Sequence, residues 1–299
     1  MSFRLRLIAA GLRFVAKPFL RRMGSPERAA KEFDLLARLV FRKPPRLRIR
    51  ESSQGSHWIA AGPFVPGKVI LYLHGGGYIS GSPRSHAGML GRLSLLAGVE
   101  VCAPCYRLAP AHPFPAAFDD AVAAWDHLMA LGYAPGDVVI GGDSAGGGLC
   151  LALLSDLCRK GTPPAGAFVF SPWTDLSGAG ESVGVNAARE AIFPPERLTE
   201  LAEIVLAGAD AKDPRASPLF AEFPSPPPVL FQVGSEEILL DDTRRMAEVL
   251  RIAGGETVVE VMDGAPHVWQ LLDGWLPEAR SSLGSVAEFV QASLGIDSR

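Results

Sequence analysis

The chain has 299 residues, of which 48% are hydrophobic and 20% are charged, and its formal net charge is −3 at pH 7. This length and composition favour one large α/β domain with room for an insertion over two independent domains. The small negative charge, with no block of like-charged residues, argues against a nucleic-acid partner. Only 4 cysteines are present, too few for a disulfide scaffold at this size.

The first 22 residues form a basic segment that predicts an amphipathic helix. Four cations interrupt its apolar residues: Arg4, Arg6, Arg13 and Lys17. The segment therefore lacks the apolar core and the cleavage site of a secretory signal. We predict that this helix packs on the body of the protein, with contact to a membrane surface as the alternative. No run approaches the ~18 apolar residues that a membrane-spanning helix needs.

Short strands are predicted after Pro44-Pro45, at residues 47–50, 58–60, 68–73, 99–103, 138–140, 167–170, 229–233 and 257–261. From residue 68 onward the strands are mostly apolar and alternate with helical segments, at residues 85–96, 115–131, 145–160, 241–253 and 277–294. This alternation predicts a mostly parallel sheet with both faces covered, in a three-layer sandwich. The two earlier, more polar strands are expected to form an antiparallel edge.

Three consecutive glycines follow the predicted strand that ends at Leu73. Glycine lets main-chain N–H groups turn inward closely, and such a loop often supplies the donors of an oxyanion hole. We predict that Gly76 and Gly77 are such donors, with Gly75 a weaker candidate and a flexible turn as the alternative. His74, which opens the loop, is expected to brace it.

Cys102 and Cys105 form a C-x-x-C pair, a spacing that also occurs in redox and zinc sites. The pair lies at the end of an apolar strand, opens no helix and has no second C-x-x-C. We therefore predict two buried apolar thiols. Cys150 and Cys158 are predicted to lie in the core, on the helix at 145–160.

A G-x-S-x-G motif, Gly142-Asp143-Ser144-Ala145-Gly146, lies between an apolar strand and a helix. In this context the motif is typical of a nucleophile elbow, a sharp turn that exposes a serine hydroxyl. Gly142 and Gly146 are needed because a side chain at either position would collide across the turn. We predict Ser144 as the nucleophile and the N–H of Ala145 as a third oxyanion donor. An ordinary glycine-rich turn is the alternative.

A serine hydroxyl is a poor nucleophile at neutral pH, so it needs a base and an acid that orients the base. His267 follows the last predicted strand and can reach over the carboxyl edge of the sheet, so we predict it as the base. The other histidines are weaker candidates, and His86 and His112, which lie near loops, are expected to be solvated or to cap helices. Four carboxylates after the strand at 229–233 compete for the role of the acid: Glu236, Glu237, Asp241 and Asp242. The two aspartates lie at a helix start, where acids commonly cap the helix.

The stretch at 177–216 breaks the alternation of strands and helices, since it contains helix-like pieces and no clear strand. We read it as an insertion that roofs the carboxyl edge of the sheet together with the N-terminal helices. The predicted division is a helical cap formed by 1–45 and 177–216 over a catalytic core formed by 46–176 and 217–299.

Together these motifs resemble the hormone-sensitive-lipase-like group of esterases in the α/β-hydrolase superfamily. Further segments are similar to signatures of that group: Tyr106-Arg107-Leu108-Ala109-Pro110, Phe114-Pro115-Ala116-Ala117 and Ser171-Pro172-Trp173-Thr174-Asp175. The resemblance runs from about residue 68 to residue 270. It implies an α/β-hydrolase sandwich with a helical cap, and hydrolysis of carboxylic esters without metal or cofactor. It is also compatible with a homodimer.

Two positions depart from the pattern of the group. Ala111 stands where the group usually has a glutamate after Tyr-Arg-Leu-Ala-Pro. The acid motif Asp-Pro-Leu-x-Asp of many members corresponds here to Glu237-Ile238-Leu239-Leu240-Asp241. The resemblance therefore favours Glu237 as the acid, with Asp241 and Glu236 as alternatives.

The sequence thus predicts a cytoplasmic serine carboxylesterase that acts on small esters with short-to-medium acyl chains through an acyl-enzyme. Substrate contacts are predicted at Tyr78, Phe193 and Leu206. The alternatives are a small-molecule receptor on the same scaffold, an amidase or deacetylase, and a thiol redox protein that uses Cys102 and Cys105.

Overall fold

The computed structural model describes residues 2–21 and 26–296, and a central sheet of eight strands organises them. The strands are β1 (Arg48–Glu51), β2 (Ser56–Ala60), β3 (Val69–Leu73), β4 (Glu100–Pro104), β5 (Val138–Asp143), β6 (Gly166–Phe170), β7 (Val229–Gly234) and β8 (Thr257–Met262). Their order across the sheet is β1-β2-β4-β3-β5-β6-β7-β8. The first two strands pair antiparallel with their neighbours and all other pairs are parallel, which confirms the prediction.

Helices cover both faces of the sheet. They are α1 (Phe3–Gly11), α2 (Lys17–Arg21), α3 (Pro26–Val40), α4 (Pro83–Ala97), α5 (Ala116–Ala130), α6 (Ser144–Arg159), α7 (Glu181–Val185), α8 (Pro195–Leu206), α9 (Leu240–Ile252) and α10 (Pro277–Leu294). Alternate residues of a strand point to opposite faces. Leu71 accordingly packs in a core with α5, α6 and α9, while Tyr72 packs in a second core with α4 and α10. The predicted α/β-hydrolase sandwich is confirmed.

The N-terminal segment packs on the body of the protein, as predicted. A π-helix at Leu12–Ala16 joins α1 to α2. Leu5 is buried against Trp269 and Leu276, and Lys17 Nζ donates to the main-chain oxygen of Ala187 at 2.6 Å. The ends of the predicted helix, residues 1 and 22, lie outside the described residues, and α3 was not predicted. No helix in the described ranges is long and apolar enough to cross a membrane.

The insertion at 177–216 contains α7 and α8 and, within the described chain, no strand. Arg21 on α2 pairs with Glu196 at the start of α8, with 2.8 Å between Nε and Oε1. The N-terminal helices therefore lie beside the insertion, and the division into cap and core stays a prediction.

The cysteine prediction is wrong at one position. Cys102, Cys150 and Cys158 are buried, but Cys105 is exposed. The reason is that β4 ends at Pro104, so Cys105 already belongs to the loop that leaves the sheet; its N–H donates to the main-chain oxygen of Gly55.

Candidate active site

Ser144 lies at the sharp turn between β5 and α6, at the carboxyl edge of the parallel sheet. Its φ of 53° lies in the left-handed region, which costs a non-glycine residue free energy. A Cβ at Gly142 would lie 2.3 Å from the main-chain oxygen of Gly146, and one at Gly146 would lie 2.2 Å from that of His74. The turn therefore requires glycine at both positions.

A continuous chain of hydrogen bonds links Ser144, His267 and Glu237. Ser144 Oγ lies 2.9 Å from His267 Nε2, and His267 Nδ1 lies 2.7 Å from Glu237 Oε2. Glu237 follows β7 and His267 follows β8, so both loops leave the same edge of the sheet. All three side chains are buried.

The other candidate acids face different partners. Asp241 accepts a hydrogen bond from the N–H of Ser182 at 2.7 Å, and Glu236 pairs with Arg13 at 2.7 Å. Asp242 accepts from the N–H groups of the Thr174-Asp175 segment. Of the four carboxylates, the structure brings Glu237 to His267.

The second carboxylate oxygen of Glu237 is held by the neighbouring strands. Glu237 Oε1 accepts from Ser171 Oγ at 2.7 Å and from the N–H of Gly234 at 2.6 Å. Ser171 Oγ also lies 3.3 Å from the N–H of Val268, the residue after His267. Ser171 was noticed in the sequence only as part of a family signature, and nothing there pointed to this contact.

The pKa of His267 is raised above its ordinary value of 6.5. Burial alone lowers it, but the negative charge of Glu237, its hydrogen bond to the imidazole and the charges of Glu190 and Asp143 together outweigh that effect. The charged imidazolium is thus stabilised, as a base that accepts a proton from serine requires.

The glycine loop after β3 presents main-chain N–H donors beside Ser144 and His267. Gly76 and Gly77 have φ values of 122° and 63°, and their N–H groups donate to no acceptor within the described residues. The N–H of Gly75 donates to Asp143 Oδ1 at 2.9 Å, so it is already used. Ala145 lies in the first turn of α6, where N–H groups have no partner within the helix.

A buried cluster that the sequence did not reveal ties this loop to the elbow. Asp143 Oδ1 accepts from Tyr72 Oη at 2.8 Å as well as from Gly75, and His86 Nε2 lies 3.3 Å from the same carboxylate. Burial raises the pKa of Asp143, yet His86, Tyr72 and Gly75 together bring it below its ordinary value. The prediction of a solvated or capping His86 is wrong, because α4 turns this residue inward against β3 and β5.

His74 braces the loop and is not connected to Ser144. Its ring stacks on Tyr106 with 4.3 Å between centroids, and its Nδ1 lies 2.9 Å from the main-chain oxygen of Gly75. Burial lowers the pKa of His74 to about 3, so the ring is neutral. Ala111, where the group usually has glutamate, is exposed.

An apolar pocket opens beside Ser144. Its lining comprises Gly77, Ser144, Trp173, Phe193, Leu198, Leu201, Ile238, Leu239 and His267. Of the predicted substrate contacts, Phe193 lines this pocket, Tyr78 lines a neighbouring one, and Leu206 is buried and lines neither. Leu198 and Leu201 were missed because the helical spacing of apolar residues in α8 indicates an apolar face but not the pocket that this face lines. Among residues 2–21 and 26–296, no group of three His, Cys, Asp or Glu side chains could hold a metal ion.

The chain is similar to known proteins over most of its length. A family model described as alpha/beta hydrolase fold matches residues 70–271. The acetyl-hydrolase of Streptomyces hygroscopicus is 43% identical over 230 residues, which cover 77% of each chain. The esterase of Acinetobacter venetianus is 35% identical over 77% of this chain and 76% of its own. The crystal structure of an esterase from the bacterial hormone-sensitive lipase family superposes with a TM-score of 0.92 at 36% identity, covering 99% of both chains.

Proposed function

The chain belongs to the hormone-sensitive-lipase family of α/β-hydrolases and is a carboxylic ester hydrolase, and on that basis we propose that Ser144, His267 and Glu237 are its catalytic triad. The observation that supports this most directly is the unbroken hydrogen-bond chain from Ser144 Oγ through His267 to Glu237 Oε2. Serine, histidine and acid in this arrangement are the parts that acyl transfer needs.

In the first step Ser144 Oγ attacks the carbonyl carbon of the ester while His267 Nε2 accepts its proton. The electron pair of the carbonyl bond moves to oxygen, and the N–H groups of Gly76, Gly77 and Ala145 stabilise the resulting oxyanion. Glu237 holds the proton on His267 Nδ1, so that Nε2 is free to accept, and it then stabilises the imidazolium.

Collapse of the tetrahedral intermediate breaks the bond to the alcohol, which takes the proton from His267 Nε2 and leaves. The acyl group remains on Ser144 as an ester. A water molecule then gives its proton to His267 and attacks the acyl carbon. The second intermediate releases the carboxylic acid, and the proton returns to Ser144 Oγ.

The pocket suggests the kind of acyl group. Its lining is apolar except for Ser144 and His267 and carries no acid, lysine or arginine, so we propose uncharged acyl chains of short to medium length. One relative is named an acetyl-hydrolase, in keeping with the short end of that range. The cytoplasmic location and the homodimer stay predictions.

The test is hydrolysis of p-nitrophenyl esters from acetate to dodecanoate. Turnover should peak at a short chain, and Ser144→Ala should lose about 10⁴-fold or more in kcat because the nucleophile is gone. Ser281→Ala, at an exposed serine of α10, is the matched control and should behave as wild type. Substantial turnover by Ser144→Ala would refute the proposed mechanism.

A further inference from the structure

Glu190 is a buried carboxylate that the mechanism above does not use. It lies between α7 and α8, and only 1% of its surface is exposed. The hydrogen bonds that the described residues donate to it come from main-chain N–H groups: Ile192 at 2.8 Å and Phe193 at 3.4 Å to Oε1, and Ile238 at 3.0 Å to Oε2. Burying a carboxylate costs free energy unless its oxygens accept hydrogen bonds. These three hydrogen bonds therefore show which main-chain segments the side chain of Glu190 holds in place.

The three N–H groups belong to two segments that both border His267. The ring of Phe193 meets the ring of His267 edge to face, with 5.0 Å between centroids and an angle of 88°. Ile238 directly follows Glu237, the hydrogen-bond partner of His267 Nδ1. Through the main chain, Glu190 therefore fixes both the apolar neighbour of the imidazole and its acid partner.

Further hydrogen bonds connect the segment around Glu190 to the loop that carries Glu237 and to the N-terminal helices. Asn186 Nδ2 donates to the main-chain oxygens of Glu237 at 2.8 Å and Ser235 at 3.3 Å. On the other side, Lys17 Nζ donates to the main-chain oxygen of Glu190 at 2.9 Å. Glu190 thus lies where the N-terminal helices, the insertion and the loop of the acid meet.

Glu190 is coupled electrostatically to Glu237 and His267. Burial raises the pKa of Glu190, the negative charge of Glu237 raises it further, and His267 opposes this rise without cancelling it. The charge of Lys17, from α2, also interacts with that of Glu190. At His267, burial lowers the pKa, while Glu237, then Glu190 and then Asp143 raise it, so that the pKa lies above its ordinary value.

We propose that Glu190 is a positioning residue for ester hydrolysis, which holds Phe193 against His267 and Ile238 beside Glu237 so that the imidazole stays aligned with Ser144. The inference rests on the proposed function, because it assumes that His267 is the base. A carboxylate suits this task since each oxygen accepts from a different segment. A glutamine has one acceptor oxygen, and its amide nitrogen would face a main-chain N–H.

The first experiment compares Glu190→Gln with wild type on p-nitrophenyl butyrate. We expect kcat to fall by roughly tenfold with little change in KM, since misalignment of a base affects the reacting geometry more than binding. The acid limb of the profile of kcat/KM against pH should move to lower pH, because a negative charge near His267 is lost and the pKa of His267 falls. Glu203→Gln, at an exposed glutamate of α8, is the matched control and should change neither quantity.

Glu190→Asp separates alignment from charge. It keeps the negative charge but shortens the reach, so it should restore the wild-type pH midpoint and remain slower than wild type. Wild-type kcat and pH midpoint per folded molecule in Glu190→Gln would overturn the proposal, even if that variant melts at a lower temperature. Should Glu190→Gln fail to fold, wild-type kcat in Glu190→Asp would overturn it.

Reaction with a p-nitrophenyl alkylphosphonate separates this inference from the proposed function. Stoichiometric labelling of Ser144 in wild type, with slower labelling in Glu190→Gln, supports both. Labelling of Ser144 at equal rates in the two proteins overturns only the role of Glu190. No labelling of Ser144 in wild type overturns the proposed function, and this inference with it.

Discussion

The two halves of the site are held in place by different means. Ser144 and the glycine loop lie at the ends of β5 and β3, which pair directly in the middle of the sheet. Close main-chain approaches fix the shape of each turn, and the side chain of Asp143 ties the two turns together. His267 and Glu237 lie after the last two strands at one side of the sheet, and side-chain hydrogen bonds from Ser171 and from the insertion hold them.

This difference determines which half of the site can be predicted from the sequence. The elbow and the glycine loop are local steric requirements, and they leave a recognisable spacing of glycines. The acid and its supports depend on contacts between residues far apart in the chain, such as the 2.7 Å hydrogen bond between Ser171 and Glu237. Variants of the two halves should therefore fail in different ways.

Among variants that keep Ser144, the largest effect is expected in the half that contains His267 and Glu237. Glu237→Gln should lower kcat by about 10³–10⁴-fold, because the amide no longer fixes the tautomer of His267 or stabilises its charge. Asp241→Asn is the matched control and should retain most activity, since Asp241 binds Ser182 and not His267. Steady-state kinetics on a short-chain ester measure kcat for both variants. If Asp241→Asn lost far more activity than Glu237→Gln, Asp241 would be the acid of the triad.

The half held by the main chain should respond to a single added carbon. Gly76→Ala should lower kcat by about 10²–10³-fold, the usual loss for a displaced oxyanion donor. Its Cβ would lie 2.2 Å from the main-chain oxygen of Ser80, and its φ of 122° is strained for alanine. Gly284→Ala on α10 adds the same carbon into open space and should leave kcat unchanged. If both variants were fully active, the donor role of Gly76 would be wrong.

The dependence of kcat/KM on pH tests the electrostatics around His267. Only neutral His267 can accept a proton, and its pKa is raised, so kcat/KM should rise with pH through a midpoint above 6.5. Below that midpoint the rate should fall about tenfold per pH unit. Rates between about pH 5 and about pH 9, followed at the isosbestic wavelength of p-nitrophenol, give the midpoint. A midpoint at or below 6.5 would contradict the conclusion that the neighbouring carboxylates outweigh the effect of burial on the pKa of His267.

The smallest effect is expected away from both halves. Cys102→Ser and Cys105→Ser should leave kcat/KM unchanged, alone and together, because neither thiol lines the pocket. Burial raises the pKa of Cys102 to about 12, which keeps it a thiol, whereas Cys105 is exposed and open to alkylation. If alkylation of Cys105 abolished activity, the result would favour the alternative of a thiol redox protein.

The sequence predicts the sheet, its antiparallel edge and the helices of the core because apolar runs and glycine turns are local signals. It narrows the acid to a few carboxylates, and only the approach of His267 to Glu237 distinguishes them. His86 and Glu190 escape sequence reasoning for one physical reason. The role of His86 depends on Asp143, and that of Glu190 depends in part on Ile238, each more than 45 positions away, and no local pattern records such pairings.

The contact of Lys17 with the main chain of Ala187 and Glu190 bears on how this enzyme should be handled in the laboratory. A fusion partner or surface tether joined ahead of α1 pulls on helices that are anchored beside the insertion. One joined after α10 pulls on a helix that packs on the opposite face of the sheet from α6. Immobilisation through the carboxyl-terminal end should therefore disturb turnover less than immobilisation through the amino-terminal end.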